Sequence, residues 1–385
     1  MLSLTAGEAA AALADDIIRK APQNTPKVEG LVLSPDDALP RVTARSAVVM
    51  EARTGRVLYE RNMNERRFPA STTKIMTLII ALERGNLDDV VTVSAHAAGT
   101  EGSTIWLAPG DKITLRELLY GMMLHSGNDA TVAVAEHIAG SVDAFARLMT
   151  AKAKELGATD THFVNANGLP DDAHYTTAHD MALIASYGYS LPGFEEIVST
   201  KEVTFPWVKD ETHRLRNENQ MLWLYEGGNG VKTGYTEAAG RCLVSAAKRD
   251  GIQLVAVVLD SNWMWNDSIL LLDYGFRQID TVTVIKAGAK VGSCAVSGSG
   301  TRRIEVQAAE SIVLPVVDGK SGYTQEVSLL KAVKAPIQAG DTIGTLHVYY
   351  EGKEVAATDL VAAASAQRRS FFLTVWHGLR QLLGM

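Results

Sequence analysis

Phe68-Pro69-Ala70-Ser71-Thr72-Thr73-Lys74-Ile75-Met76-Thr77-Leu78-Ile79-Ile80-Ala81-Leu82 joins a serine–lysine tetrapeptide to an apolar run. Pro69 suits an extended approach, since its ring biases the preceding residue away from helix. The run after Lys74 is too uniformly apolar for a surface helix, so it predicts a buried one that ends at Gly85. Ser71 then sits at the helix mouth, with Lys74 one turn on and on the same face. A serine hydroxyl becomes a competent nucleophile once a neighbouring base takes its proton. Lysine can serve if burial and nearby positive charge lower its pKa. The helix dipole and a backbone N–H near Ser71 favour an oxyanion there. The plain alternative is a polar cap on an ordinary core helix.

Serine and lysine three apart is a cheap pattern, and the chain repeats it at Ser245-Ala246-Ala247-Lys248 and Ser328-Leu329-Leu330-Lys331. Cys242 to Ala247 reads as a strand before the turn Arg249-Asp250-Gly251, and Ser328 lies in a strand-rich region. In a strand, residues three apart point to opposite faces, so neither copy pairs its serine with its lysine.

Working outward, Ser46–Ala52 and Arg56–Glu60 flank Arg53-Thr54-Gly55 as a hairpin. Helical patterns fill Leu87 to about Val198, among them Leu115–Leu124 and Asp129–Ile138. Strands return near Val231, with Arg241–Lys248 and Gln253–Asp260 forming a second hairpin. Ser268–Phe276 then closes the region as a helix. Strands at both ends with helices between predict an α+β fold, one antiparallel sheet covered by helices. From Gln278 to about Asp359, Thr281–Val284, Arg303–Val306 and Thr345–Tyr350 read as short strands of a separate small β-rich domain. The expected divisions are 1–43 (helix and linker), 44–277 (catalytic domain), 278–362 (β-rich domain) and 363–385 (tail).

The ends differ in character. Met1–Lys20 is alanine-rich but interrupted by Glu8, Asp15 and Asp16, so it reads as an amphipathic helix and shows no secretory signal. Ala21–Arg41, with four prolines, reads as a linker. Phe371, Phe372, Val375, Trp376, Leu379, Leu382 and Leu383 follow a helical period, with Arg369, His377, Arg380 and Gln381 mostly opposite. A helix from Arg368 to Leu383 would be about 24 Å long, too short to span a bilayer but suited to lying in its interface. Val361–Ala366 before it reads as a tether, which favours peripheral membrane contact over docking on the protein itself.

The 385 residues are 46% hydrophobic and 21% charged, a soluble globular composition with sequence enough for two or three domains. A net charge of -7 argues against nucleic acid as a partner. The two cysteines, Cys242 and Cys294, have no metal-type spacing and give no disulfide framework; both are expected free and buried. His162, His174 and His179 with Asp171, Asp172 and Asp180 also lack ligand spacing, so neither metal nor cofactor is expected.

Two further motifs complete a site. Ser126-Gly127-Asn128 lies between two helical patterns, where a hydroxyl could relay a proton and an amide could bind a substrate carbonyl. Lys232-Thr233-Gly234 follows a glycine-rich turn and opens a strand. Its lysine and hydroxyl could hold an anionic terminus, and its glycine admits substrate backbone. Alone, each is an ordinary turn. At average usage each triplet occurs by chance in roughly one chain in ten of this length; both, in this order after a helix-mouth Ser71–Lys74, are not accidental.

With these motifs the chain resembles the low-molecular-mass penicillin-binding proteins that act as serine-type D-alanyl-D-alanine carboxypeptidases (peptidase family S11). Asn167-Gly168-Leu169-Pro170, His174-Tyr175-Thr176-Thr177-Ala178 and Lys232-Thr233-Gly234-Tyr235-Thr236 extend the likeness. The middle motif is Ser-Gly-Asn where class A β-lactamases have Ser-Asp-Asn. The resemblance implies a β-lactamase/transpeptidase-like domain and attack by Ser71 on the bond between two terminal D-alanines of a peptidoglycan pentapeptide. An acyl-enzyme would form and hydrolyse, and β-lactams would acylate the same serine. Lys74, Ser126 and Lys232 would move protons, Asn128, Thr233, Gly234 and Tyr235 would bind substrate, and Thr233 would meet its carboxylate. Backbone N–H groups of Ser71 and Tyr235 would form the oxyanion hole. The implied location is the extracytoplasmic face of a bacterial membrane.

The sequence departs from some relatives in one place. They carry an arginine shortly before the third motif, where Asn217-Glu218-Asn219-Gln220 has an acid; Arg214 and Arg216 lie nearby. Among rivals, a β-lactamase is disfavoured because Thr159–Pro170 holds no glutamate to activate a deacylating water. The intact motifs disfavour a non-catalytic wall-binding protein. An endopeptidase would use the same site.

Overall fold

A computed structural model describes residues 39–208, 213–316 and 322–369. The chain divides into two compact units, Met1–Arg249 with Gln253–Gln278, and Asp250–Ile252 with Ile279–Met385.

The first unit is built on an antiparallel sheet of β1 (Ser46–Glu51), β2 (Val57–Arg61), β3 (Gly228–Thr236), β4 (Gly240–Arg249) and β5 (Ile252–Ser261). Its order is β2-β1-β5-β4-β3, so the two ends of the unit's sequence interleave, with Val48 opposite Val257 and Lys232 opposite Val244. This order leaves β3, which carries Lys232-Thr233-Gly234, on an edge. β1 and β5 are buried almost throughout, as expected of strands covered on both faces. Ser245 lies buried on β4 while Lys248 is exposed, the alternation that separates serine from lysine in a strand.

The helices are α1 (Lys74–Arg84), α2 (Leu115–Leu124), α3 (Asn128–Ala139), α4 (Val142–Glu155), α5 (Ala178–Gly188), α6 (Phe194–Ser199) and α7 (Met264–Arg277); α5, α6 and α7 pack on the sheet, and α2, α3 and α4 pack around α1. α1 is buried from Lys74 through Ala81 and forms the centre of the core, beside Leu118, Met122, Val134, Phe145 and Met181. Gly85 ends α1 in an extended conformation (φ -90°, ψ 152°). A Cβ there would meet Leu115 Cδ2 at 2.4 Å, so close packing and not a left-handed turn calls for glycine. α2 begins with a reciprocal cap, in which Thr114 accepts from the Glu117 N–H and the Glu117 carboxylate accepts from the Thr114 N–H. α7 starts one turn earlier than its pattern predicts. Its buried Asp267 accepts from the N–H groups of Thr43 and Ala44 and from the hydroxyls of Thr43 and Ser261, so the unit begins by residue 43.

The second unit holds a six-stranded sheet in the order Tyr323–Leu329, Thr342–Tyr350, Lys353–Ala362, Arg303–Ala308, Lys290–Ser297 and Ala332–Lys334. A two-stranded ladder pairs Thr281–Ile285 with Ile312–Pro315. Val306, Leu314, Ile343, Val348 and Leu360 form its own core.

The tether reading of Val361–Ala366 is wrong. Val361 and Ala362 end a strand, Ala366 is buried, and Ala366 exchanges backbone hydrogen bonds with Ile337. Arg369 N–H donates to Gly298 O at 2.8 Å, and Arg368 Nε donates to Ala335 O at 3.1 Å. Residues 363–369 therefore belong to the β-rich unit, and Arg368 pairs with Ser299 in a bridge instead of starting a helix. The rest of the tail, and the readings for Met1–Lys20 and most of Ala21–Arg41, lie outside the described residues.

Candidate active site

Ser71 stands in a 3-10 turn, Ala70–Thr73, that runs directly into α1. Ala70 takes a left-handed conformation (φ 48°), which bends the chain just before the serine. Two neighbours fix this turn by close approach. A Cβ on Gly168 (φ 90°) would fall 1.8 Å from Ala70 O, and one on Gly234 would fall 2.9 Å from Ser71 N. Glycine is the residue that lets both backbones come so near.

Lys74 is fully buried. Its Nζ lies 2.9 Å from Ser71 Oγ, 2.7 Å from Asn128 Oδ1 and 2.9 Å from Asn167 O. Burial, and then the charge of Lys232, hold its pKa well below 10.5 against the opposing pull of Glu218 and Asp129. Burial likewise lowers Lys232, opposed by Glu218. A charged amine in a dry site makes a neighbour's proton less welcome, and Lys232 acts on Lys74 in this way.

Asn128 opens α3, and both ends of its amide are engaged. Oδ1 accepts from Lys74, and Nδ2 donates to Glu101 O at 2.7 Å. One lone pair and one N–H remain for a ligand. Ser126 is buried in a left-handed conformation (φ 61°), and its hydroxyl makes no hydrogen bond among the described residues. Strain of this kind collects at functional sites. The Ser126 hydroxyl is thus not linked to either lysine in this structure. Asp129 clasps the neighbouring loop, accepting from Ile105 N at 3.1 Å and Leu107 N at 3.0 Å. Trp106 between them is exposed and lies against His125, ring centroids 5.5 Å apart.

On β3, Lys232 is buried and its Nζ lies 3.4 Å from Thr233 Oγ1 and 3.9 Å from Glu218 Oε2. Thr233 Oγ1 donates to Glu218 Oε2 at 3.5 Å. Tyr235 is exposed, with the Arg241 guanidinium 6.0 Å from its ring. The structure thus brings Ser71, Lys74 and Asn128 into one bonded cluster and Lys232 and Thr233 into another, and Gly234 packs against the serine turn.

The loop before α5 contributes more than its sequence suggests. Asn167 supplies a backbone carbonyl to Lys74, a role with no side-chain signature. His174 Nδ1 accepts from Val164 N at 3.2 Å, which leaves Nε2–H to donate to Thr73 Oγ1, 2.9 Å away. Burial pushes the His174 pKa down to about 4. Asp180 accepts from Asp160 N and Thr161 Oγ1. These side chains brace the loop, and among the described residues no three His, Cys, Asp or Glu side chains gather to hold a metal. Arg214 and Arg216 are engaged elsewhere, with Arg214 Nη1 2.9 Å from Glu202 and Arg216 stacked over Trp223. Glu218 and Asn167 are residues of the site that motif reading leaves without a role.

Residues 34–262 match the family model described as D-alanyl-D-alanine carboxypeptidase, and residues 280–368 match the C-terminal domain of penicillin-binding protein 5. The chain is 37% identical over 341 residues to the D-alanyl-D-alanine carboxypeptidase DacF of Bacillus subtilis, covering 86% of this chain and 87% of that one. It is 34% identical to DacC of Escherichia coli, covering 88% of each. Among solved structures, penicillin-binding protein 5 from Haemophilus influenzae aligns at a TM-score of 0.61 and 30% identity, over 86% of this chain and all of that one. A mutant of the DD-transpeptidase of Streptomyces K15 aligns at 0.59 and 34% over 62% of this chain and 99% of its own. On its motifs, its fold and these matches, the chain belongs to the D-alanyl-D-alanine carboxypeptidase family, peptidase family S11.

Proposed function

We propose that Ser71 is the nucleophile of a D-alanyl-D-alanine carboxypeptidase that trims peptidoglycan stem peptides, with Lys74 as its base. The observation that carries this reading is the environment of Lys74. A neutral amine has two N–H donors and one lone pair. Asn128 Oδ1 and Asn167 O, at 2.7 and 2.9 Å, take the two donors. The lone pair is then left for the Ser71 hydroxyl at 2.9 Å, and the lowered pKa favours that neutral state.

A stem peptide would lie along β3, the edge strand, as an added strand. Ser71 Oγ attacks the carbonyl carbon of the penultimate D-alanine as Lys74 takes the hydroxyl proton. The backbone N–H groups of Ser71 and Tyr235 receive the oxyanion; such a donor is typically worth about 2.7–4 kcal/mol in rate. As the C–N bond breaks, the leaving amine takes a proton that originates at Lys74 and passes through Ser126 or Lys232. Water then hydrolyses the ester on Ser71. Asn128 offers its remaining N–H to the substrate carbonyl, Gly234 keeps the strand close to the serine, and Lys232 and Thr233 face the terminal carboxylate. Penicillin would acylate the same oxygen.

Intact-mass spectrometry after mixing with benzylpenicillin tests this. A single lasting adduct, absent in Ser71→Ala, is the expected result. An adduct on Ser71→Ala would overturn the nucleophile assignment, and rapid loss of drug with no adduct would make the chain a β-lactamase.

A peptidoglycan substrate supports a location outside the cytoplasm, and the basic and aromatic pattern of residues 370–383 supports peripheral contact with the membrane. Truncation after Arg369 is expected to release the protein from anionic vesicles and leave activity intact; unchanged vesicle binding would sink that attachment.

A further inference from the structure

An acidic side chain of the protein already occupies the groups assigned to the substrate's terminal carboxylate. Glu218 Oε2 accepts the Thr233 hydroxyl at 3.5 Å and lies 3.9 Å from Lys232 Nζ. Its position is held by the backbone. Glu218 N–H donates to Leu124 O at 3.0 Å, and the buried side chains of Asn217 and Asn219 on either side are bonded to Thr200 O and to Met221 N. The Glu218 side chain is 38% exposed, so it stands open to whatever enters the subsite. The two arginines close to it in sequence are engaged elsewhere, since Arg214 and Arg216 both pair with Glu202.

Two carboxylates cannot share one hydroxyl and one ammonium without repulsion, and like charges set against each other cost several kcal/mol at a binding surface. A carboxamide differs in kind. Its oxygen accepts from Thr233 or Lys232, and its NH2 donates to Glu218.

Resting on the carboxypeptidase reading above, we infer that Glu218 is the specificity-determining residue of the leaving-group subsite. It competes with a free terminal carboxylate for Thr233 and Lys232 and tilts selection toward leaving groups that end in a carboxamide. Discrimination of this type comes from a repulsive element as much as from an attractive one. The physiological counterpart is a stem or cross-linked peptide whose carboxyl beyond the scissile bond is amidated.

The test compares two synthetic peptides, an acyl-D-Ala-D-Ala acid and its C-terminal amide, on the wild type, Glu218→Gln and Glu218→Asp. Both peptides give the same acyl-enzyme, so deacylation is common to them. Any effect of Glu218 on Lys74 also cancels in the ratio of their kcat/KM values. Glu218→Gln is expected to raise the acid-to-amide ratio at least about tenfold, while Glu218→Asp, which keeps the charge, stays near the wild type. An unmoved ratio in Glu218→Gln, or one that falls, would overturn the inference. The benzylpenicillin adduct on the same preparations separates two kinds of failure. A normal adduct with an unmoved ratio defeats the role of Glu218 alone, whereas a missing adduct in the wild type defeats the carboxypeptidase reading and this inference with it.

Discussion

Lys74 Nζ and Ser71 Oγ stand 2.9 Å apart where a 3-10 turn becomes an α-helix, the lysine fully buried and the serine only partly so. The proposed base is therefore kept dry while the proposed nucleophile stays partly exposed. Desolvation disfavours the ammonium, and the second buried amine, Lys232, adds to it. The chemistry of the site follows from that asymmetry.

Removing the base tests it directly. Lys74→Met keeps the volume and the helix but takes away the lone pair. Acylation by benzylpenicillin, followed by stopped-flow or mass spectrometry, is expected to slow about 10²–10⁴-fold, with the circular dichroism spectrum unchanged. A rate within about tenfold of the wild type would remove Lys74 as the base.

The pH profile carries a second signature. In the proposed mechanism the neutral amine is the active form, so acylation should rise with pH and level off around a pKa well below 10.5. Lys232→Gln removes the charge that helps hold that pKa down, and the rising limb should move to higher pH. A limb that stays in place would mean that the two amines do not sense each other. Stability follows the same linkage. The folded state binds this proton less readily than the unfolded chain, so Lys74's contribution grows as pH rises from its lowered pKa toward 10.5.

His174 makes a separate prediction in the acid range. Its folded pKa of about 4 lies below the ordinary 6.5. The stability it contributes is present above 6.5 and is lost as pH falls through 4, in all about 3 kcal/mol. Urea melts at several pH values should show this loss, and His174→Gln, which cannot titrate, should flatten the slope between pH 6.5 and 4. An equal slope in both proteins would assign the acid sensitivity elsewhere.

Gly168→Ala should damage both fold and reaction. The new methyl would lie 1.8 Å from Ala70 O, a backbone atom with no freedom to yield, at φ 90°. A loss of at least about 3 kcal/mol is expected, measured by denaturant unfolding, together with slower acylation because the displaced carbonyl is next to Ser71. Wild-type stability would show that the loop moves aside easily.

Much of the fold and site is legible in the sequence alone, and the parts that are not share physical causes. Leu115–Leu124 is legible because helical period marks its extent and the Thr114–Glu117 capping box marks its start in local sequence. The serine–lysine pair is legible because helix geometry converts a spacing of three into a contact. The ladders Val90–Thr92 with Lys112–Thr114 and Glu202–Thr204 with Arg214–Arg216 escape notice, since three residues are too few to show alternation. Val361–Ala366 misleads for a different reason. Its alanines and serine have little strand preference, and its structure comes from backbone bonds to Ile337, distant in sequence. Glu218 stands out in the sequence only as a departure, because what matters is its distance from Thr233, and Asn167 acts through a carbonyl that every residue possesses.

The bond between Lys74 and Asn167 O joins residues 93 positions apart. On the proposed roles, before the chain closes that span Lys74 is a hydrated ammonium and Ser71 an ordinary alcohol, so the unfinished protein would have no reactive centre. Latency would thus be built into the folding reaction itself. A covalent penicillin label, read molecule by molecule, would count only chains that have finished folding.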